Sequence, residues 1–348
     1  MTDLVAEYGY ASSGETFSIA DPNEVWLMEL IGKGKVEKGA VWVATRVPDD
    51  CIAAHANQAR FTTINFKDKE NWMWSKDVVS FARKQGYFEG KDKDFNFQEA
   101  YAPYDFSGLY VCEARVWSFF RKFSNDMDRY FDFASGKTFV GTGGKYAGER
   151  IPLYIKPNHK VSAQELKDCM RDQYEGTPLD ITQGPDAGPW NSKLRYGSLG
   201  FQYDSVQYWF ERPIATQQTG WSMVAQMRGY EGADAGGILW FGVDDAATSL
   251  YVPMYSTITA VPECFQEGNG DMYIYSPTSA WWTYNIVANW AYSKYSAMVP
   301  DIQRVQSTWE DKFNSQIAVV DQQVAAMGQR QAQKFRTDYS CLQAQEST

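Results

Sequence analysis

Between Glu211 and Tyr255 the chain reads ERPIATQQTGWSMVAQMRGYEGADAGGILWFGVDDAATSLYVPMY. Amides, hydroxyls, two arginines and the adjoining Asp244 and Asp245 are set between apolar runs. Polar groups of this kind are costly to bury unless each finds a partner. A stretch serving only a core would omit them, so this one is expected to line a site. Upstream, Arg60 could grip a carboxylate through its planar fork, or sit in a surface ion pair. Cys51 and His55, four residues apart, pair a thiol with an imidazole. The competing reading of Cys51 is a small buried apolar residue in a strand. His159, in KPNHK, reads as a loop residue, and Trp281, Trp282 and Trp290 as core at helical spacing.

Composition narrows the classes. The 348 residues carry a net charge of −10, which repels phosphate backbones, and no basic run offsets it, so nucleic acid is not an expected partner. Five widely spaced cysteines without a CxxC pair argue against a zinc ribbon, a thioredoxin motif or a disulfide framework. Two histidines are too few for most catalytic metal centres. No apolar run approaches membrane-spanning length, and the first residues lack the basic and apolar regions of a signal peptide. GTGGK at 141–145 lacks the strand-to-helix setting and the Ser/Thr of a phosphate-binding loop, and reads as a loop tip.

The elements that must position these groups can be read in outline. Residues 1–8 resemble the end of a helix. Residues 16–31 form two strands around the turn Asp21-Pro22-Asn23. Residues 40–47 form another strand and 51–64 the next strand and its exit, continuing an antiparallel meander. Helical spacing marks 76–86, closed by Gly86, and 112–129. Ser162 and Glu165 form a capping box for a helix over 161–174, closed by Gly176. Strands are expected at 219–229 and 237–243. From 278 to 335 the chain reads helical, with a break at Pro300 and one apolar face through Val305, Trp309, Phe313, Ile317 and Val320. Strands first, with helices between and after, predict an α+β fold in one domain over 1–348. That domain is strand-rich at 1–65 and 200–275, with helical insertions at 70–175 and a helical C-terminal part.

Seven blocks in order make the sequence recognisable: ADPNEVWLMEL, VWVATRVPDDCIAAHANQAR, RDQYEGTPLD, ERPIATQQTGWSMVAQMR, GGILWFGVDDAATSLYVPMY, VPECFQEGNGD and MVPDIQRVQSTWEDKF. Together they resemble the PepD-type dipeptidases, bacterial N-terminal-nucleophile hydrolases related to secernins. The resemblance implies an αββα sandwich and dipeptide hydrolysis through a thioester, with no cofactor. It makes Asn57 the expected oxyanion donor, beside the plainer reading of an Asn that satisfies a turn. It makes Arg212 an orienting residue, beside a structural pair with Glu211. Arg60, Thr216, Gln217 and Asp244 become substrate-binding, with Asp244 reading an α-ammonium and Asp245 more suited to closing the turn. The expected partner is a small peptide, with no membrane insertion. The family's nucleophile is an N-terminal cysteine followed by a Thr/Ser-Asp-Gly turn, and nothing here matches it. The chain is therefore read as a fragment starting downstream of the nucleophile and inactive alone, and any signal region would lie upstream of Met1. The rival reading, from another class, is a non-catalytic aromatic-rich protein that binds peptide or glycan.

Overall fold

A computed structural model describes the chain except for residues 11, 36, 142–144, 185–186, 195–199 and 233–234. The chain divides into two compact units, Met1–Lys160 and Val161–Thr348, and mixes helices and strands as an α+β protein.

The first unit opens with α1 (Thr2–Tyr8), then β1 (Gly14–Ala20), β2 (Val25–Gly32), β3 (Ala40–Arg46), β4 (Ile52–Ala53) and β5 (Trp72–Trp74). Four of these form an antiparallel sheet in the order β1-β2-β3-β5. The β1–β2 turn forms because the Asp21 carboxylate accepts the Asn23 and Glu24 amides at 2.7 and 2.9 Å, an Asx turn. Next come α2 (Val78–Lys84), α3 (Phe97–Tyr101), α4 (Ala114–Arg121), α5 (Phe131–Ala134) and β6 (Tyr154–Ile155), which pairs with β4. Gly86 follows α2 at φ +74°, the left-handed cap its sequence position implied. The sheet and α2 enclose Leu27, Val41, Val43, Phe61, Phe81 and Phe95.

Two expectations fail here. The run 51–64 is a strand only at Ile52–Ala53. Beyond that, Asn57 takes φ +53°, which no strand accommodates, and the segment's polar groups bond to side chains far along the chain. The helix expected over 112–129 starts with a π-type turn at Gly108–Glu113 and runs as α4 only to Arg121. Gly143 and Gly144 of the glycine-rich loop lie outside the described residues.

The second unit begins with α6 (Ala163–Met170). Its capping box is present, with the Ser162 hydroxyl accepting the Glu165 amide and the Glu165 carboxylate accepting the Ser162 amide. The helix ends at Met170, six residues before Gly176. A hairpin of β7 (Gly200–Tyr203) and β8 (Val206–Trp209) turns through Asp204 and Ser205, both at positive φ. Strands β9 (Trp221–Met227), β10 (Gly237–Val243) and β11 (Val252–Tyr255) form an antiparallel sheet ordered β11-β10-β9. Helices α7 (Ala280–Ser293), α8 (Tyr295–Val324) and α9 (Gln329–Ser347) complete the unit. The alternation of β9 and β10 turns Val224, Ile238 and Trp240 into a core with Phe313, Ile317 and Val320 of α8.

The expected break at Pro300 is displaced. Pro300 lies inside α8, whereas the chain breaks at Lys294, with φ −148° and ψ 55°. At the sixth position of α8 the proline has no amide to give the Ser296 carbonyl, yet the helix runs on through it. The long polar helix expected through Lys334 stops at Val324 and resumes at Gln329 as α9. Of its expected apolar face, Phe313, Ile317 and Val320 are buried, while Val305 is half exposed.

Candidate functional site

In the first unit a cavity of about 390 Å³ is lined by Thr16, Glu29, Ile31, Asn57, Gln58 and Tyr101, among others. Asn57 is exposed, and its Oδ1 accepts from Arg115 Nη2 at 3.0 Å. A guanidinium only donates, so the atom facing it must be the amide oxygen. The Asn57 NH2 group therefore points elsewhere and makes no hydrogen bond to the described residues. It remains available as a donor.

The backbone after Asn57 is clamped. Glu29, in the middle of β2 and 1% exposed, accepts the amides of Arg60 and Phe61 at 2.6 and 3.1 Å. Burial pushes its carboxyl up to about 7, against the pull of those two amides. The Arg60 side chain spends all its donors on protein. Nε bonds Glu113 at 2.8 Å, with both side chains 1% exposed. Nη1 donates to the Ala54 and Leu153 carbonyls, and Nη2 to those of Ile151 and Pro152. No N–H is left for a substrate carboxylate. Neither sequence reading of Arg60 describes this: it is a buried tie between the Asn57 segment and residues 151–153. Tyr104 adds a bond to Glu113 at 3.0 Å, and Arg150 one to the Arg60 carbonyl at 2.9 Å.

Cysteine chemistry is weak in these residues. The five cysteines form no disulfide. Burial and the adjacent Asp50, its acceptor at 3.6 Å, raise the Cys51 thiol, the reverse of nucleophile activation. Burial likewise raises Cys264 and Cys341. His55 pairs with the Ser18 hydroxyl at 3.0 Å. Its imidazole is pushed down to about 4 by burial and by the cations Arg60 and Arg115. His159 lies against Phe123. Among the described residues no group of three or more His, Cys, Asp or Glu could hold a metal, and no helix is long and apolar enough to cross a membrane.

In the second unit the polar stretch gathers at one end of the β9–β10 pair. Asp244 follows β10 at φ +64°, 6% exposed, with its amide on the Gly220 carbonyl at 2.8 Å. Its Oδ1 accepts from Asn285 on α7 at 3.1 Å, and burial raises its carboxyl. The loop ending at Gly220 carries Thr216, whose hydroxyl pairs with Thr219 at 3.3 Å, and the half-buried Gln217. At the start of that loop the Arg212 carbonyl accepts from Tyr174 at 2.7 Å. The half-buried Arg212 guanidinium makes no hydrogen bond or ion pair to the described residues. Asp245 is committed elsewhere. Fully buried, it takes Lys193 at 2.8 Å, the Tyr292 hydroxyl at 2.5 Å and the Ala247 amide at 3.0 Å. That hub fixes the turn on which Asp244 stands.

Sequence reading did not single out Glu29, Glu113, Arg115, Lys193 or Asn285. Glu29 had a signal: it is the one charge inside the apolar run VWLMELI. The others lie 41 to 58 residues from the groups they hold, beyond any local pattern.

Comparison with known proteins adds a family. The model of Peptidase family C69 matches residues 1–308. A probable dipeptidase of Latilactobacillus sakei is 24% identical over 93% of this chain and 59% of its own length. One of Salmonella dublin is 27% identical over 73% of this chain and 49% of its own. A dipeptidase of Bifidobacterium longum is 23% identical over 93% of this chain and 56% of its own. The chain thus spans about half to three fifths of these relatives.

Proposed function

Because the chain belongs to peptidase family C69, we propose that it is the substrate-holding part of a dipeptidase acting through a cysteine thioester on an αββα scaffold. The observation carrying this reading is the Asn57 amide. Arg115 fixes its oxygen, which leaves an oriented NH2 group at a cavity with no acceptor among the described residues. An oxyanion needs such a donor, held beforehand so that it need not reorganise as charge develops. In this mechanism a thiolate attacks the peptide carbonyl. Asn57 stabilises the resulting oxyanion, which collapses to a thioester as the amine leaves with a proton. Water then hydrolyses the thioester. Within the second unit, the resemblance assigns Asp244 to a substrate α-ammonium, Arg212 to orienting and Thr216 and Gln217 to peptide contact, with no placement of these groups relative to Asn57 implied. The nucleophile is a thiol other than the five present, since the Cys51, Cys264 and Cys341 thiols are raised rather than activated and Cys112 and Cys169 are buried.

The test is release of free amino acids from a panel of dipeptides. The 348-residue chain is expected to release none. A form extended to carry an N-terminal cysteine is expected to hydrolyse them and to lose ~10²–10³-fold in rate on Asn57→Ala. Hydrolysis by the 348-residue chain, or an extended form indifferent to Asn57→Ala, removes the reading.

A further inference from the structure

A second cavity, of about 660 Å³, lies wholly in the second unit, walled by Trp221, Phe241, Phe265 and Trp281 with Glu267 and Asp271 also lining it. The rings are ordered. Trp221 stacks on Phe241 at 6.1 Å between centroids, and Phe265 meets Phe241 edge-on at 5.5 Å. A loop braced by side chains borders it. Asn269 Oδ1 accepts from Ser276 and Thr278, and the Asp271 carboxylate accepts the Tyr273 and Ile274 amides. Gly270 in this loop has φ +82°, and a side chain there would press on the Ile274 carbonyl at 3.0 Å. The aromatic walls are therefore preformed, as small-molecule sites tend to be.

Three links tie this cavity to Asp244. Val243, which lines it, immediately precedes Asp244. Gly220, also in the lining, accepts the Asp244 amide. Trp281 stands one helical turn before Asn285, which holds the Asp244 carboxylate. A ligand anchored at Asp244 by its ammonium would have the aromatic walls next to it.

We propose that this cavity takes an uncharged aromatic side chain of the peptide substrate and so sets specificity. This rests on the dipeptidase reading for the identity of the ligand. An uncharged ring gains burial and offset or edge contact from every wall. A cation would gain most from Glu267 and Asp271, but both are solvent-exposed and water screens them. An acidic side chain would lose its hydration against the rings, with no cation among the described lining residues to receive it.

The test measures binding, without turnover. The 348-residue chain is titrated with Phe-Ala, Lys-Ala, Gly-Ala and Asp-Ala by calorimetry, and with N-acetylphenylalanine amide by tryptophan fluorescence. Phe-Ala is expected to bind at least tenfold tighter than Gly-Ala, Asp-Ala weakest, and Trp221→Ala to abolish most of that preference. Trp221 is exposed, so its replacement should leave the fold intact; Phe241→Ala is the second variant, checked by circular dichroism. Equal binding of Phe-Ala and Gly-Ala, a preference for Lys-Ala, or selectivity unchanged in folded Trp221→Ala overturns the inference. Uptake of N-acetylphenylalanine amide against Trp221 by a protein that processes no dipeptide in any form would uphold the cavity and sink the dipeptidase reading. Hydrolysis by the extended form with no dependence on side chain would do the reverse.

Discussion

At the scale of single residues, function divides groups that are spent from groups that are free. Arg60 and Arg212 look alike in sequence. One is enclosed by a carboxylate and four carbonyls, while the half-buried guanidinium of the other makes no hydrogen bond or ion pair to the described residues. Replacing a surface arginine usually changes stability by less than ~0.5 kcal/mol. Arg60→Met instead leaves Glu113 buried without its cation, and is expected to lower unfolding free energy by about 3–5 kcal/mol. Urea denaturation checks this. Arg60→Lys should rescue little, because one ammonium cannot reach acceptors spread around a planar fork. A loss below about 1 kcal/mol for Arg60→Met would return Arg60 to the surface-pair reading.

At the scale of elements, helices and strands serve the site by holding its turns. The end of β10 carries Asp244, and the buried Lys193–Asp245–Tyr292 hub locks the turn that follows. On the other side of that sheet, α6 buries Lys167, whose ammonium lies 3.8 Å from the Trp240 ring centre and bonds Asn314 at 3.3 Å. Burial pulls its amine down to about 8. The folded value lies below the unfolded one, so the unfolded chain binds more protons and the penalty is fullest below pH 8, fading toward pH 10.5. Lys167→Met keeps the stem's packing and is expected to stabilise the protein by on the order of 1 kcal/mol at pH 7. Thermal melts should show that gain shrinking above pH 8. A destabilised variant would mean that the ring and Asn314 outweigh desolvation. Local signals marked several elements correctly: the Asp21 turn, the Ser162 capping box, β9 and β10. They failed where distant contacts decide. Residues 51–64 look like a strand and its exit, but the strand stops at Ala53 and Asn57 takes a left-handed conformation, held by Arg115. Pro300 looks like a break, but α8 runs through it and the chain breaks six residues earlier, at Lys294.

At the scale of the whole molecule, titration couples stability to the Asn57 cavity. Glu29 has its carboxyl raised from 4.5 to about 7, so its contribution is full below pH 4.5 and is lost as pH rises through 7. His55 is lowered from 6.5 to about 4, so its contribution is full above pH 6.5 and is lost as pH falls through 4. The two oppose each other over nearly one window. Unfolding free energy attributable to this pair should stay nearly level from pH 4.5 to 6.5. Glu29→Gln should expose a rise with pH over that range, and His55→Gln a fall. Denaturation across pH for both variants measures it, and identical profiles would show that neither group titrates as described. The sequence by itself determined the family, through ordered blocks spread along the chain, and the elements whose signals lie within a turn or two. It also marked Asn57, Arg212 and Asp244 as groups capable of the chemistry. Only the tertiary structure decided which polar groups are consumed. Asn57 is oriented by a residue 58 positions away, Arg60 is neutralised by one 53 away, and Asp245 by one 52 away. Hydrogen-bond partners at such separations are set by packing, and packing leaves no periodic trace in the chain.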